Sequence, residues 1–273
     1  MPSHYAKLLR AALPASLVLV VLAGAAVAEP FVDYIAVYNR GDYAAALRLI
    51  RPLADQGNAD AQYNLGVLYE KGQGVPQDYA EAIKWYRLAA DQRTASAQHN
   101  LGVLYENGQG VPQDYAEAIK WYRLAADQGH ANSQNNLGSM YINGHGVPKD
   151  YAEAIKWYRL AADQGNVGGQ FNLGAIYENG LGPDVPQSYA EAIKWYRLAA
   201  GQGYAAAQYN LGLLFAKGQG VPQDYVQAYM WFDLSAAQGM PNAVINRKVA
   251  AEKMTSAQIA EAQKLTREWR PER

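Results

Sequence analysis

The 273-residue sequence contains no cysteine and only four phenylalanines, and its acidic and basic residues nearly cancel. The missing cysteine excludes disulfides, thiolate-bound zinc, iron–sulfur clusters and a thiol nucleophile. A formal net charge of −1 provides no strong field toward nucleic acid or an acidic membrane, so we expect no nucleic-acid partner. Hydrophobic residues still make up 50% of the chain, which excludes disorder along its whole length.

Only one long apolar run is present, and it lies near the N-terminus. Lys7 and Arg10 precede an apolar stretch over residues 13–26, and Ala26 and Ala28 then match a signal-peptidase site. The 14-residue run is shorter than the roughly 20 residues of a membrane-spanning helix. This order of regions predicts a cleaved secretory signal, a periplasmic or secreted chain of net charge −3, and no stable membrane span. The alternatives are an uncleaved anchor and a buried helix.

The rest of the chain is an internal repeat. The string YAEAIKWYRLAA occurs four times, beginning at Tyr79, Tyr115, Tyr151 and Tyr189, and a diverged copy begins at Tyr225. These copies follow one another at 36, 36, 38 and 36 residues, and a degenerate copy precedes the first by 36 residues. A period of this length indicates a solenoid of stacked supersecondary units.

Each repeat carries the pattern of two helices. In the first complete copy, helix A is predicted over residues 59–71 and ends at a glycine-rich turn. Pro76 marks the connection, and Asp78 followed by Glu81 is typical of the N-terminus of helix B. Each helix has one apolar face that only a neighbouring pair covers. The sequence therefore predicts an all-α solenoid of about five 36-residue helix-turn-helix repeats plus terminal capping helices.

The domain boundaries follow from these patterns. We expect a signal peptide over residues 1–28 and a degenerate N-terminal repeat or cap over residues 29–57. The repeat array then covers residues 58–241, and C-terminal capping helices cover residues 242–273. The last capping helix is predicted to open at Thr255 and to reach about Trp269.

The repeat pattern A-x-x-x-L-G-x-x-Y-x-x-G-x-G-V-x-x-D-x-x-x-A-x-x-W-x-x-x-A-A-x-x-G resembles the Sel-one-like repeat family, a relative of the tetratricopeptide repeats. Five copies over about residues 42–240 carry it, with departures at Ser133, Gly169, Ser188, Phe215 and Ser235. The resemblance implies a right-handed α/α superhelix that acts as an adaptor, which in exported bacterial members is associated with signalling, envelope assembly and host contact. Activities proposed on penicillin or peptidoglycan belong to a cysteine-rich branch and do not transfer to this chain.

Residues suited to catalysis are few. His99, His130 and His145 lack the spacing of a ligand set, so we expect no metal and no cofactor. Glycine-rich turns recur in every repeat, which indicates structural turns rather than a phosphate loop. The glutamates that share one repeated helix position are more typical of a solvated ridge than of paired acids. The sequence therefore predicts no catalytic residue and no enzymatic activity.

Helix A differs between the copies, whereas helix B does not. At 100° per residue, positions 60, 63, 67 and 70 fall within about 80° of one another, opposite Leu65 and Tyr69, so we expect them on the solvent side. The 63-series comprises Tyr63, His99, Asn135, Phe171 and Tyr209. The 67-series comprises Val67, Val103, Ser139, Ala175 and Leu213. The 70-series comprises Glu70, Glu106, Ile142, Glu178 and Ala216.

Neutral drift and uneven duplication are alternative explanations of this variation. Drift is disfavoured because the expected solvent-facing residues of helix B, such as Glu81, Lys84 and Arg87, are the same in four copies. In related solenoids helix A lines the concave surface, and aromatic residues anchor interfaces. We therefore predict a partner-binding surface made of Tyr63, Val67, Glu70, His99, Glu106, Asn135, Ile142, Phe171, Glu178 and Tyr209.

Two functional hypotheses follow from this surface. The first is an exported scaffold that binds a protein or peptide, and three glutamates beside the aromatic residues favour a partner with some basic character. The second is an envelope protein that binds or cleaves a glycan such as peptidoglycan or exopolysaccharide. Its aromatic residues would stack on sugar rings, and Glu106 or Glu178 would be the acid.

Overall fold

The computed structural model describes residues 31–182 and 185–271, and over these residues it contains fourteen α-helices and no strand. The chain divides into two compact units. One extends to Leu104 and includes Gly108–Pro112, and the other comprises Tyr105–Asn107 and the chain from Gln113 onward. The predicted signal peptide lies outside the described residues.

The helix bounds repeat with the sequence period. The first unit contains α1 (31–39), α2 (Tyr43–Asp55), α3 (Ala59–Lys71), α4 (Tyr79–Asp91) and most of α5 (Ala95–Asn107). The second contains α6 (Tyr115–Ala126), α7 (Ala131–Asn143), α8 (Tyr151–Asp163), α9 (Val167–Asn179), α10 (Tyr189–Gly201), α11 (Ala205–Lys217), α12 (Tyr225–Ala237), α13 (Pro241–Ala251) and α14 (Ser256–Glu268). Helix A of the five repeats is α3, α5, α7, α9 and α11, and helix B is α4, α6, α8, α10 and α12. The predicted all-α solenoid is confirmed.

Local sequence signals set where the helices begin and end. The side chains of Asp78, Asp114 and Asp150 cap helix B by accepting a hydrogen bond from the backbone N–H three residues later, at 2.9 to 3.0 Å. Each helix A ends at a left-handed glycine, such as Gly218. The next glycine of the turn contacts the preceding helix B, since a Cβ at Gly220 would lie 2.6 Å from Cβ of Tyr189. The glycine-rich turns are therefore structural.

Within a repeat, a glycine of helix A receives an aromatic ring of helix B. A Cβ at Gly174 would lie 2.5 Å from Cδ1 of Tyr196, and one at Gly212 would lie 2.6 Å from Cδ1 of Phe232. Such distances are too short for any carbon pair, so only glycine permits this approach of ring and backbone. The rings are almost fully buried, and they join the two helices of each pair.

Between repeats, a buried glutamine links one helix pair to the next. Gln208 is fully buried, and its Nε2 donates to the carbonyl oxygen of Ala200 at 3.3 Å. Its Oε1 accepts from Nε2 of Gln238 at 2.8 Å. Gln170 makes the same pair of bonds with Ala162 and Gln202. Because buried polar groups are costly when unpaired, this glutamine ladder fixes the register between neighbouring pairs.

The described helices are short. The longest have 13 residues, and none within residues 31–182 and 185–271 is long and apolar enough to cross a bilayer.

Candidate functional site

The predicted partner-binding residues lie along one edge of helix A, beside the aromatic ring of helix B. All ten are half-buried, so the expected solvent-side position is wrong for the 63-, 67- and 70-series. The most exposed residues of helix A instead lie at position 60, as in Asp60 and Asn132, and at position 71, as in Lys71 and Lys217. Helix B covers the predicted edge because its ring projects over the glycine at position 66 and reaches the side chains on either side.

The repeated glutamates are each bound by a tyrosine of helix B. The hydroxyl of Tyr86 donates to Glu70, that of Tyr122 to Glu106 at 2.5 Å, and that of Tyr196 to Glu178 at 2.6 Å. Burial, together with the adjacent carboxylate, raises the pKa of each of these tyrosines. The glutamates are therefore hydrogen-bond acceptors for buried hydroxyls rather than a freely solvated ridge.

The third repeat replaces the glutamate of this pair, and the fifth replaces both members. In the third repeat Ile142 stands at position 70, and the hydroxyl of Tyr158 instead meets Oγ of Ser139 at 3.0 Å. In the fifth repeat Phe232 has no hydroxyl, and Ala216 has no acceptor. An acceptor is thus present wherever helix B carries a tyrosine. Packing inside the repeat explains the variation at position 70.

The 63-series varies without such a reason. The rings of Tyr63 and Phe171 pack on tyrosines of the same repeated string, Tyr86 and Tyr196, with ring centroids 5.8 and 5.7 Å apart. An identical neighbour therefore accepts different side chains. We assign position 63 more weight as a candidate contact residue than position 70, because the same helix-B tyrosine packs on different side chains there.

Sequence reasoning missed several polar and aromatic residues beside the 63-series. Nδ2 of Asn172 donates to Oδ1 of Asn135 at 3.0 Å, and the ring of Tyr204 lies edge-on to Phe171 at 5.2 Å. The signal for the asparagines was available, because position 64 is the same residue in every copy: Asn64, Asn100, Asn136, Asn172 and Asn210. Nothing in the sequence singled out Tyr204, which stands where Asn58 and Asn166 cap other helices.

The histidines do not meet at one place. His99 lies on α5, His130 caps α7 through Nδ1, and the ring of His145 stacks on Tyr115 with centroids 4.6 Å apart. In the described part of the chain, no group of three or more His, Asp or Glu side chains is placed to hold a metal ion. The predicted surface therefore offers aromatic rings, amides and carboxylates, which suit binding.

A comparison with protein families matches the repeats individually. The Sel1 repeat model matches residues 59–93, 95–130, 131–166, 167–204 and 205–240. No curated protein matches the sequence.

Several solved structures are similar to this chain. A Sel1 repeat protein from Oxalobacter formigenes is 37% identical with a TM-score of 0.71, over 78% of this chain and 86% of its own. An immunity protein from Pseudomonas aeruginosa is 20% identical with a TM-score of 0.50, over 75% and 81%. A protective antigen of uropathogenic Escherichia coli with an SLR fold is 26% identical with a TM-score of 0.36, over 89% and 84%.

Proposed function

The chain belongs to the Sel1 repeat proteins, which are generally non-catalytic scaffolds typical of protein–protein interaction, and from this we propose that it is an exported scaffold in the cell envelope. It binds a protein or peptide through the helix-A residues of its repeats. The 63-series and the exposed side chains at positions 60 and 71 make the contacts.

One observation carries this proposal. Position 63 changes from Tyr63 to His99, Asn135 and Phe171, while the tyrosine at the helix-B ring position is the same in all four repeats. Drift does not account for this, since the exposed Lys84 and Arg87 of helix B and their copies remain identical. A surface that varies at fixed spacing on a constant framework is what a repeat protein needs to recognise an irregular partner.

Site-specific photocrosslinking in the native envelope tests which face binds. A crosslinking residue at the exposed helix-A positions Asn143 and Asn179 is expected to yield a defined protein adduct. Matched controls at the exposed helix-B positions Leu160 and Leu198 of the same repeats are expected to yield none. Adducts from the helix-B positions alone would show that the partner binds helix B, which contradicts this proposal. These four positions are exposed, so the substitutions leave the core intact.

The glycan alternative makes a different prediction. Each described glutamate of the 70-series accepts a hydrogen bond from a buried tyrosine of its own repeat, which favours glycan binding over cleavage within this alternative. Incubation with purified peptidoglycan and soluble polysaccharide measures it directly. Co-sedimentation with peptidoglycan that is lost in Phe171→Ser, without protein adducts in the envelope, would replace the scaffold proposal.

Export is tested by the mass of the protein itself. The predicted signal peptide leaves a mature chain that begins at Glu29. Intact mass spectrometry of the periplasmic fraction is expected to show loss of residues 1–28. The paired change Lys7→Glu and Arg10→Glu is expected to retain the full-length chain in the cytoplasm, and an unprocessed, membrane-bound wild type would indicate the anchor instead.

A further inference from the structure

The helix-A register continues beyond the fifth repeat into α13. Asn246 lies 36 residues after Asn210, in the 64-series, and its Nδ2 donates to the hydroxyl of Tyr209 at 3.1 Å. Ile245 and Val249 then occupy the positions of the 63- and 67-series. Tyr209 and Leu213 of α11 pack on the same core cluster as Ala250 of α13. The C-terminal helix therefore extends the candidate surface by one further step.

This end of the surface is apolar and exposed. Ile245 is 59% exposed and Val249 is 49% exposed, whereas the equivalent residues of the preceding repeats are half-buried. The fifth repeat also lacks the hydroxyl and carboxylate of its neighbours, since Phe232 and Ala216 replace them. Two exposed aliphatic side chains one helical turn apart thus adjoin a stretch of α11 that carries only Tyr209, Leu213 and Ala216 on this edge.

The residues of α13 do not fit a sixth repeat packed against this surface. Arg247 and Lys248 stand where every complete repeat has the Leu-Gly pair that receives a helix-B ring. Arg247 is paired with Asp233 of α12 instead. Helix α14 packs against α12 rather than completing a helix pair with α13. These polar replacements end the array in the manner of a capping repeat, and they leave Ile245 and Val249 uncovered.

The charge around these residues indicates the chemistry of the occupant. Residues 241–271 hold six basic and three acidic side chains, whereas residues 31–240 hold 15 and 20. Lys248 lies one turn from Ile245, and Lys217 lies one turn beyond Leu213. Neither lysine is in an ion pair within the described residues. The three acidic residues of this segment are Glu252, which follows α13, and Glu261 and Glu268 of α14, and all three are exposed.

We propose that the surface formed by Tyr209, Leu213, Ile245 and Val249 docks a peptide segment that presents aliphatic or aromatic side chains next to acidic residues. The apolar side chains cover Ile245 and Val249, and the acidic ones face Lys217 and Lys248. This inference rests on the proposed scaffold function and names the chemistry of its partner. The glutamates alone favoured a basic partner, whereas this inference names an acidic one. The reason is that the glutamates accept hydrogen bonds from tyrosines, whereas Lys217 and Lys248 are in no ion pair within the described residues.

Two other occupants fit the surface less well. A second copy of this chain would bring Lys248 of both copies together across a small patch, which disfavours a stable dimer. A lipid surface would gain little from two aliphatic side chains on an 11-residue helix, because interfacial binding scales with buried apolar area. A folded or extended peptide reaches the half-buried Tyr209 and Leu213 as well.

The test uses the mature full-length chain and short random peptides displayed for selection. Enriched peptides are expected to combine apolar residues with Asp or Glu. Fluorescence anisotropy with these peptides is expected to show an affinity lower by about tenfold to a hundredfold in the pair Ile245→Ser and Val249→Ser. The pair Lys217→Gln and Lys248→Gln is expected to weaken binding most at low salt.

The chain offers a matched control at its other end. Val32 and Ile35 of α1 are 62% and 45% exposed, so Val32→Ser with Ile35→Ser removes similar apolar surface. This control is expected to bind the peptides like wild type. Thermal unfolding checks that all three pairs of substitutions leave the fold intact, as their exposure predicts.

Several results would overturn the inference. One is an equal peptide affinity of wild type and the variant Ile245→Ser with Val249→Ser. The others are enrichment of basic peptides and no enrichment of any peptide. A wild-type dimer that dissociates in this variant would assign the surface to a second copy. Flotation with phosphatidylglycerol vesicles, lost in the same variant, would assign it to lipid. If the envelope adducts at Asn143 and Asn179 persist in that variant, the scaffold function stands and only this docking surface fails.

Discussion

The fourth and fifth repeats form the same kind of helix pair, but they differ at the ring contact and at the N-terminus of helix A. Both place an aromatic ring of helix B on a glycine of helix A, at nearly the same distance. The fourth repeat adds a hydroxyl and a carboxylate to this contact, and it caps helix A with Asn166. The fifth repeat has Phe232, Ala216 and the uncapped Tyr204 in their places. The ring-on-glycine contact is therefore the constant part of the repeat, and the polar groups are adjustable.

The largest effect is expected from breaking the constant part. Gly174→Ala places a Cβ 2.5 Å from the ring of Tyr196, so the helices must separate or the ring must move. We expect a loss of about 1–3 kcal/mol in the free energy of unfolding, and a similar loss from Gly212→Ala. Chemical denaturation measures both.

A double-mutant cycle checks that the ring is the cause. In Gly174→Ala with Tyr196→Leu, the smaller side chain leaves room for the new methyl group. The combined loss is expected to be smaller than the sum of the two single losses. Strict additivity would show that the glycine matters for the helix backbone and not for the contact.

The second-largest effect is expected from changing the tyrosine–glutamate pair of the fourth repeat to the residues of the fifth. Glu178→Ala removes the acceptor of the buried Tyr196 hydroxyl, which is expected to cost about 1–2 kcal/mol. The pair Glu178→Ala and Tyr196→Phe copies the fifth repeat into the fourth, and it is expected to recover most of this loss. Denaturation curves of the three proteins measure the difference. A pair that is no more stable than Glu178→Ala would contradict the expected recovery.

The smallest effect concerns the N-terminal cap of helix A, which in the third repeat is a histidine. Nδ1 of His130 accepts the backbone N–H of Ser133 at 3.3 Å, in the place of Asn166. Burial lowers the pKa of His130, so the folded chain binds its proton less readily than the unfolded chain, whose histidines titrate near 6.5. The contribution of His130 to the free energy of unfolding is therefore fully present above about pH 6.5. It is lost as the pH falls from there through the lower pKa of the folded chain.

The matched variant is His130→Asn, which keeps the cap and removes the titration. Thermal unfolding between neutral and mildly acidic pH is expected to show a shallower loss of stability in the variant, by up to about 1 kcal/mol. An identical pH dependence of the two proteins would show that other groups govern acid stability.

Helix positions in this chain were predictable because each depends on a few neighbouring residues. Helix A of the first repeat begins and ends where expected, Asp78 caps helix B, and Thr255 and Gln258 form a capping box before α14. A left-handed residue closes helix B as glycine in most repeats, and Arg93 adopts the same conformation with φ of 67°. The predicted family is confirmed, because the Sel1 repeat model matches five consecutive segments between residues 59 and 240.

Side-chain contacts between helices were harder to foresee. Periodicity places position 70 on a face but does not say that Tyr86 or Tyr196 reaches it from 16 or 18 residues later. A comparison of the copies contained that information, because Ala216 and Phe232 change together. The exposure of Ile245 and Val249 was not visible, since it depends on where α14 packs. The identity of the residues that bind a partner stays a prediction.

The glutamine ladder has a consequence for the evolution of length. Each link uses a glutamine from one helix pair and a carbonyl from the pair before it, and every complete repeat supplies both. Loss or gain of a whole 36-residue copy therefore brings together two ends that already fit. Selection can therefore lengthen or shorten the array in whole copies without a new junction. The two extra residues of the fourth repeat lie in the turn between its two helices, and Gln170 keeps both bonds there.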